Sequence, residues 1–200
     1  MNAILLNLPV PITTPRLLLK PPQIGDGAIV NAAVLESLNE LRPYMPWGNI
    51  APSVNDTEEF CRLAAANWIL KKNEEPYLPL FIFNRQTGDF IGGTGFHHFD
   101  WKIPCIETGY WIRSTCSKLG FMTEAVNALT QYSFQELKVK RIAITCAKDN
   151  IRSQRLAKRL GYTLEGTLQY NRLTIDNELS STLIFARYDV SNLPELPVKW

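Results

Sequence analysis

Apolar residues along this chain alternate between a spacing of two and a spacing near 3.6, and the changes of period mark the elements. Arg16 to Lys20 reads as a short strand that Pro21-Pro22 ends. Gly25-Asp26-Gly27 opens a helix over Ala28 to Leu38, with Ile29, Ala32, Ala33 and Leu35 on its apolar face. Asp56, with Glu59 three residues on, is an acidic variant of the capping box. It predicts a helix to about Lys72 that turns Phe60, Leu63, Ala64, Trp68 and Ile69 inward. Tyr77 to Asn84 and Phe90 to Phe99 are strands joined by the turn Gln86-Thr87-Gly88-Asp89. Trp101 to Pro104 then turns into a third strand, Cys105 to Ile112, completing an antiparallel meander. At Gly120 the period becomes helical, with Met122, Ala125, Val126 and Leu129 forming one stripe. Arg141 to Cys146 alternates as a strand, and Asp149 or Asn150 caps a helix from Ile151 to Leu160. Gly161 occupies the place of a left-handed C′ residue. Tyr162 to Leu168 and Ser181 to Tyr188 are the closing strands.

This order predicts an α+β fold: one sheet of about six to seven strands with helices on both faces. The 200 residues suit a single domain over 1–200, with a core over about 14–188 and an extended, proline-bearing tail over 191–200. The segment from Asn39 to Asn55 mixes prolines with Tyr44, Met45 and Trp47, so it either folds over the core as a lid or lines a pocket. A net charge of +2 is too small to point to nucleic acid as a partner. Cys61, Cys105, Cys116 and Cys146 form no CxxC or Cys/His ligand spacing. They read as reduced thiols of a cytoplasmic protein, and no metal site is expected. The start, MNAILLNLPVP, lacks the basic region and apolar length of a signal peptide, and no stretch approaches the roughly 18 apolar residues of a membrane span.

The candidate chemistry lies between Ile106 and Ala128, IETGYWIRSTCSKLGFMTEAVNA. A strand, a tight turn and a helix start in that order leave backbone N–H groups unpaired at the positive end of the helix dipole. Such a turn can hold a phosphate or pyrophosphate. The spacing alone also fits an ordinary strand-to-helix turn.

Several segments occur in an order that resembles the GNAT-superfamily N-acetyltransferases, and within them the branch of ribosomal-protein N-terminal acetyltransferases of the RimJ/RimL type. They are TPRLLLKPP (Thr14 to Pro22), GDFIGGTGF (Gly88 to Phe96), IETGYWI (Ile106 to Ile112) and LGFMTEAVNAL (Leu119 to Leu129). The most specific is ITCAKDNIRSQRLAKRLGYTLEGTL (Ile144 to Leu168), with its DNxxS, LGY and LEG. The resemblance covers the chain from Thr14 to about Tyr188. It implies the GNAT fold, a central mixed and mostly antiparallel sheet, and acetyl-CoA as co-substrate. One departure is plain: the family's turn has two glycines with one residue between, and here Lys118 stands at the first and Gly120 at the second.

The resemblance also implies roles. A bulge in the family's fourth strand parts it from the fifth, and pantetheine lies in that gap. Tyr110 to Arg113, including Ile112 and Arg113, supply that edge. Ser117, Lys118, Leu119, Gly120, Phe121, Met122 and Thr123 supply the pyrophosphate turn, and Asn150 and Ser153 face the arm near the sulfur. Acetyl transfer needs a base for the amine, a donor for the carbonyl oxygen and an acid or hydrogen bond for the thiolate. Ser153 is the candidate for the thiolate, although a first-turn serine also bonds backbone, and Asn150 also serves as an N-cap. Glu107 is the leading base and His98 the second, either of which also suits a sheet surface. Where some members carry a carboxylate after the LEG segment, this chain has Arg172. Lys148, Arg152, Arg155, Lys158 and Arg159 form a basic face from which one or two side chains reach the 3′-phosphate.

The implied acceptor is a primary amine, foremost a protein N-terminal α-amine of ribosomal-protein type. A small-molecule amine is the second reading, and a CoA-binding module without turnover the third. Deprotonation at pH 7 costs about 1.4 kcal/mol for an α-amine and about 4.6 kcal/mol for a lysine, so a modest base suits the former. Tyr44, Met45, Trp47, Phe99 and Trp101 border the acceptor pocket; a ribosomal protein as acceptor predicts an open, shallow groove with an acidic rim, and a small amine predicts a closed pocket under the Asn39 to Asn55 segment. No nucleic-acid or membrane partner is implied; a homodimer is compatible with the chain.

Overall fold

The run LPLFIFN carries apolar side chains in both directions, as a strand buried on two faces requires. In the computed structural model, which describes residues 3–71, 77–100 and 102–200, this run is a central strand. In chain order the strands are β1 (Ile12–Thr13), β2 (Leu17–Lys20), β3 (Leu78–Asn84), β4 (Phe90–Asp100), β5 (Cys105–Ile112), β6 (Arg141–Ala147), β7 (Thr163–Leu173) and β8 (Leu179–Arg187). The helices are α1 (Gly27–Leu41), α2 (Val54–Leu70), α3 (Phe121–Gln135) and α4 (Ile151–Arg159).

The eight strands form one mixed sheet in the order β1-β2-β3-β4-β5-β6-β8-β7. Among the described residues every pairing is antiparallel except β5 with β6. The sequence predicted six to seven strands; the eighth is Ile12–Thr13, which pairs with Leu18 and Leu19. Two residues carry no readable period, so this strand is visible only through its partners. One of them is Lys199, which bridges to Thr13 and fastens the tail to the sheet edge. The tail runs across α3, where Asn127 Nδ2 donates to Pro194 O at 2.8 Å and the Trp200 ring stands edge-on to Tyr132 at 5.5 Å.

Strand alternation divides the core. Leu78, Leu80 and Ile82 face a cluster with Met122, Ala125, Val126 and Leu129 of α3 and Ala157 of α4. Phe81, Phe83 and Phe90 face Val30, Ala33, Val34 and Leu38 of α1 and Cys61 of α2. Each fully buried Leu, Ile or Phe contributes about 1.5–3 kcal/mol, so the sheet is held from both sides. The α3 stripe is the one its spacing predicts.

The two early helices depart from expectation. α1 starts at Gly27 and runs to Leu41, and Ile29 and Leu35 point outward at 41% and 46% exposure. The run IVNAAVL offers two overlapping stripes one residue apart, and a distant contact chooses between them. A Cβ on Gly27 would lie 2.7 Å from the Glu58 Cα, so only glycine permits the approach that sets the helix's rotation. The Glu58 carboxylate accepts from the Gly25 and Gly27 N–H groups across that contact. α2 begins three residues earlier than predicted. Ser53 is its N-cap and Asp56 is the N3 residue of the capping box, so the Asp56–Glu59 pairing is replaced by Ser53–Asp56. Its buried residues are Thr57, Cys61, Ala64 and Trp68, whereas Phe60, Leu63 and Ile69 are exposed. Cys61 packs with Val30, Ala33, Val34 and Leu38 of α1, whereas Trp68 enters the cluster on the other side of the sheet. Lys72 and Trp101 lie outside the described residues.

Candidate active site

β5 and β6 pair only through Cys105, Ile106 and Glu107 against Arg141, Ile142 and Ala143. Beyond Glu107, residues 108–112 stay paired with β4 and residues 144–147 with β8, but not with each other. Two parallel strands that part in this way leave backbone donors and acceptors facing a gap in the middle of the sheet. An extended ligand can pair with them as an added strand does.

The gap leads to the start of α3. Residues 114–116 form a short turn braced by α1: Thr115 N and Oγ1 donate to Glu36, and Arg113 Nε donates to Glu36 Oε2 at 2.7 Å. These bonds hold the Glu36 carboxyl below its usual value, against the opposing effect of burial. Lys118 and Gly120 then adopt left-handed φ values of 63° and 81°. The lysine therefore takes the conformation that the departure from the two-glycine pattern put in question. Gly120 is the N-cap and offers no side-chain cap. The first helical bond is Glu124 N to Gly120 O at 3.1 Å. Among the described residues, the N–H groups from Lys118 to Thr123 carry no hydrogen bond, whereas Ser117 N is already donated to Ser114 O. The turn thus offers a run of free amides at a helix N-terminus, the arrangement that favours a phosphate.

Arg16 clamps this turn. Its Nε donates to Glu124 Oε2 at 2.6 Å, its Nη1 to Leu119 O at 3.0 Å, and its guanidinium lies 4.6 Å over the Phe121 ring. Glu124 also accepts from Thr14 Oγ1 at 2.6 Å. Sequence reasoning assigned Arg16 only to a strand, because its partner is 108 residues away. A left-handed non-glycine residue is strained by about 1 kcal/mol. Lys118→Gly is accordingly expected to raise the melting temperature by about 2–4 °C, read by thermal unfolding of the free protein.

On the α4 side of the gap, Asn150 caps the helix by accepting from Ser153 N at 3.1 Å. The Ser153 hydroxyl shares a 2.8 Å hydrogen bond with the Tyr110 phenol and also contacts Cys146. Burial pushes both the Tyr110 phenol and the Cys146 thiol up, so each keeps its proton at neutral pH. Tyr110 was expected to contribute only backbone; the structure adds its phenol. Two hydroxyls joined by a hydrogen bond form a proton-holding pair.

At the point where the strands part, Glu107 accepts a hydrogen bond from Thr145 Oγ1 across the opening. His97 is its register partner on β4. Donor atoms of His97, His98 and Glu107 lie within 4.8 Å of one another. Burial pushes the His97 imidazole down, which outweighs the opposing pull of Glu107. Glu107 and His98, expected as alternative bases, are neighbours in one cluster, and His97 went unnoticed because only pairing brings it to Glu107.

A pocket of about 520 Å³ lies between the segment after α1 and the β7–β8 connection. Arg42, Tyr44, Met45, Arg172 and Ile175 are among the residues that line it. The segment from Asn39 therefore borders a pocket. Trp47 stands edge-on to Trp111 at 6.0 Å, whereas Phe99 is a core residue against Phe96 and does not line the pocket. The charged lining residues are Arg42 and Arg172, so the expected acidic rim is replaced by a basic one. Glu165 of the LEG segment is paired with Arg141 and Tyr188, which hold its carboxyl down at about 2. Its role is to tie β7 to β6. Lys148, Arg152, Arg155, Lys158 and Arg159 are all exposed.

A sheet that opens beside an uncapped helix start, with proton-holding groups on both sides of the opening, is the architecture of an acyl-transfer site. Residues 16–163 match the acetyltransferase (GNAT) domain. The chain is 26% identical over 129 residues to the ribosomal-protein-serine acetyltransferase of Escherichia coli (strain K12), covering 64% of this chain and 69% of that protein. Two further curated relatives are spanned over 43% and 50% of their lengths. Among solved structures, the fold is shared with the Microcin C7 self immunity acetyltransferase MccE in complex with acetyl-CoA and AMP. Its TM-score is 0.77 at 24% identity, covering 88% of this chain and 93% of that one. It is shared also with RimL, the ribosomal L7/L12 alpha-N-protein acetyltransferase, in complex with coenzyme A, at a TM-score of 0.78 and 20% identity over 92% of this chain and 99% of that one. The chain belongs to the GNAT acetyltransferase family. It is an N-acetyltransferase that takes its acetyl group from acetyl-CoA. No helix among the described residues is long and apolar enough to cross a membrane.

Proposed function

We propose that this enzyme acetylates the N-terminal α-amine of a polypeptide, with a ribosomal protein as the acceptor type. The observation that carries the reading is the parting of β5 from β6 immediately after Glu107, which leads from a candidate base to the free amides of the α3 turn. The amides of residues 118–123 hold the pyrophosphate of acetyl-CoA, and the unpaired edge over 108–112, including Ile112, pairs with its arm. Asn150 orients Ser153 at the inner end. The catalytic unit is the core over 14–188, with the tail over 191–200 fastened to it.

In the reaction, Glu107 takes a proton from the acceptor ammonium, directly or through one water, while Thr145 fixes the carboxylate. The freed amine nitrogen attacks the acetyl carbonyl carbon. As the C–S bond breaks, Ser153, backed by the Tyr110 phenol, donates a hydrogen bond or a proton to the departing sulfur, and the second proton leaving the new amide nitrogen balances the one the sulfur takes. The small cost of deprotonating an α-amine suits one hydrogen-bonded carboxylate. Arg42 and Arg172, which line the pocket beside the segment after α1, favour an acceptor with acidic or neutral residues after its first position and disfavour a polyamine. Four free cysteines support a cytoplasmic setting. A homodimer is part of the same reading, and sedimentation velocity checks it.

The test is a peptide panel with acetyl-CoA, followed by thiol release and mass. Acetylation of free N-termini, absent from N-terminally blocked peptides that contain lysine, is the expected result. Acetylation of small amines only would replace the reading by the small-molecule one. Ser153→Ala is expected to lower kcat by about 10- to 100-fold with little change in the acetyl-CoA KM, since the hydroxyl acts on the leaving sulfur. A raised acetyl-CoA KM with kcat unchanged would make Ser153 a binding residue.

A further inference from the structure

His97 and His98 are adjacent on β4, and in a regular strand their side chains would point to opposite faces. They do not. His98 has a left-handed φ of 52°, and the register of β4 against β5 shifts between His97 and Asp100. This local distortion turns both imidazoles to one side, with ring centroids 4.9 Å apart and planes at 73°. A non-glycine residue held in the left-handed region is an observed strain of the kind that clusters at functional sites. The groups it gathers are two imidazoles and the carboxylate of Glu107, with ligand atoms all within 4.8 Å of one another.

We propose that His97, His98 and Glu107 form a binding site for a divalent transition-metal ion of the zinc type, and that occupancy of this site withdraws the base from catalysis. Two imidazoles and one carboxylate are the donor set that zinc, cobalt and related ions take, leaving a position for water. At metal–ligand lengths of about 2.0–2.1 Å, tetrahedral donors stand roughly 3.3 Å apart, so the cluster must tighten by about 1.5 Å. His98 is exposed and can rotate to close that distance. The other two are already held: Thr145 donates to one Glu107 oxygen, and the His97 ring is bounded by Tyr77, edge-on at 6.4 Å. Gly109 keeps the approach open, since a Cβ there would lie 3.1 Å from His97 Nε2. None of the four cysteines takes part, which is why their spacing gave no sign of a metal. The ion and the acceptor ammonium compete for the same carboxylate, so the site makes acetyl transfer sensitive to free zinc.

The test uses the full chain, stripped of metal, with Zn²⁺ titrated against a chromophoric chelator. One Zn²⁺ per chain is expected. His97→Ala and His98→Gln should each weaken it by about 10-fold or more, and Thr145→Val, which removes the support of Glu107, by about 10-fold. Co²⁺ should produce visible absorption bands in the wild type that the histidine variants lose. With turnover, Zn²⁺ inhibition should be competitive with the acceptor and not with acetyl-CoA. Absence of stoichiometric uptake, or an affinity unchanged in His97→Ala or in His98→Gln, overturns the proposal. Because His98 is on the surface, His98→Gln tests the site without disturbing the core. The uptake and Co²⁺ readouts need no acetyl transfer, so their failure is distinguishable from failure of the acceptor reading, which the peptide panel decides.

Discussion

Gly120→Val is expected to raise the acetyl-CoA KM by about 50-fold while leaving the fold in place. Gly120 has a φ of 81° and is the N-cap of α3. A β-branched side chain in that region is strained by about 2–3 kcal/mol, and 1.4 kcal/mol is a factor of ten. The turn relieves the strain by rotating its peptides, which re-aims the amides of Gly120 and Phe121 away from a bound pyrophosphate. The added Cβ meets only Arg16 Nη2, at 3.4 Å, so the effect is conformational and not a clash with the core. Steady-state kinetics with varied acetyl-CoA checks it. An unchanged KM would move the pyrophosphate to another part of the protein.

The second large effect belongs to Glu107. Glu107→Gln keeps the side-chain volume and a partner for Thr145 but removes the proton acceptor, and kcat should fall by about 100-fold at pH 7. The deficit should shrink as pH rises, because an α-amine with a pKa near 8 then arrives already neutral. A pH profile of both proteins on one peptide, measured without added metal, makes the comparison. A variant as fast as wild type at every pH would remove Glu107 from the reaction.

What could be read from the chain follows the range of the interactions. The α3 stripe, the Asn150 cap and the left-handed Gly161, at φ 73°, are set within a few residues, and their positions are as expected. The rotation of α1 and the start of α2 are not local. One depends on the contact of Gly27 with Glu58, the other on a competition between two candidate caps that Ser53 wins through its reciprocal bonds with Asp56. The site divides in the same way. Its backbone half, a turn followed by a helix, was legible in Ile106 to Ala128. Its side-chain half was not: the Tyr110–Ser153 bond joins residues 43 apart, and Glu107 meets His97 only through strand register. The basic rim depends on bringing Arg42 beside Arg172, which no spacing rule reveals.

Amide hydrogen exchange with and without acetyl-CoA tests the central claim, that the free edge of β5 and the start of α3 bind the acetyl donor. New protection confined to residues 108–112 and 118–123 is the predicted result. Saturation with acetyl-CoA that leaves both segments exchanging at their free rates would contradict it.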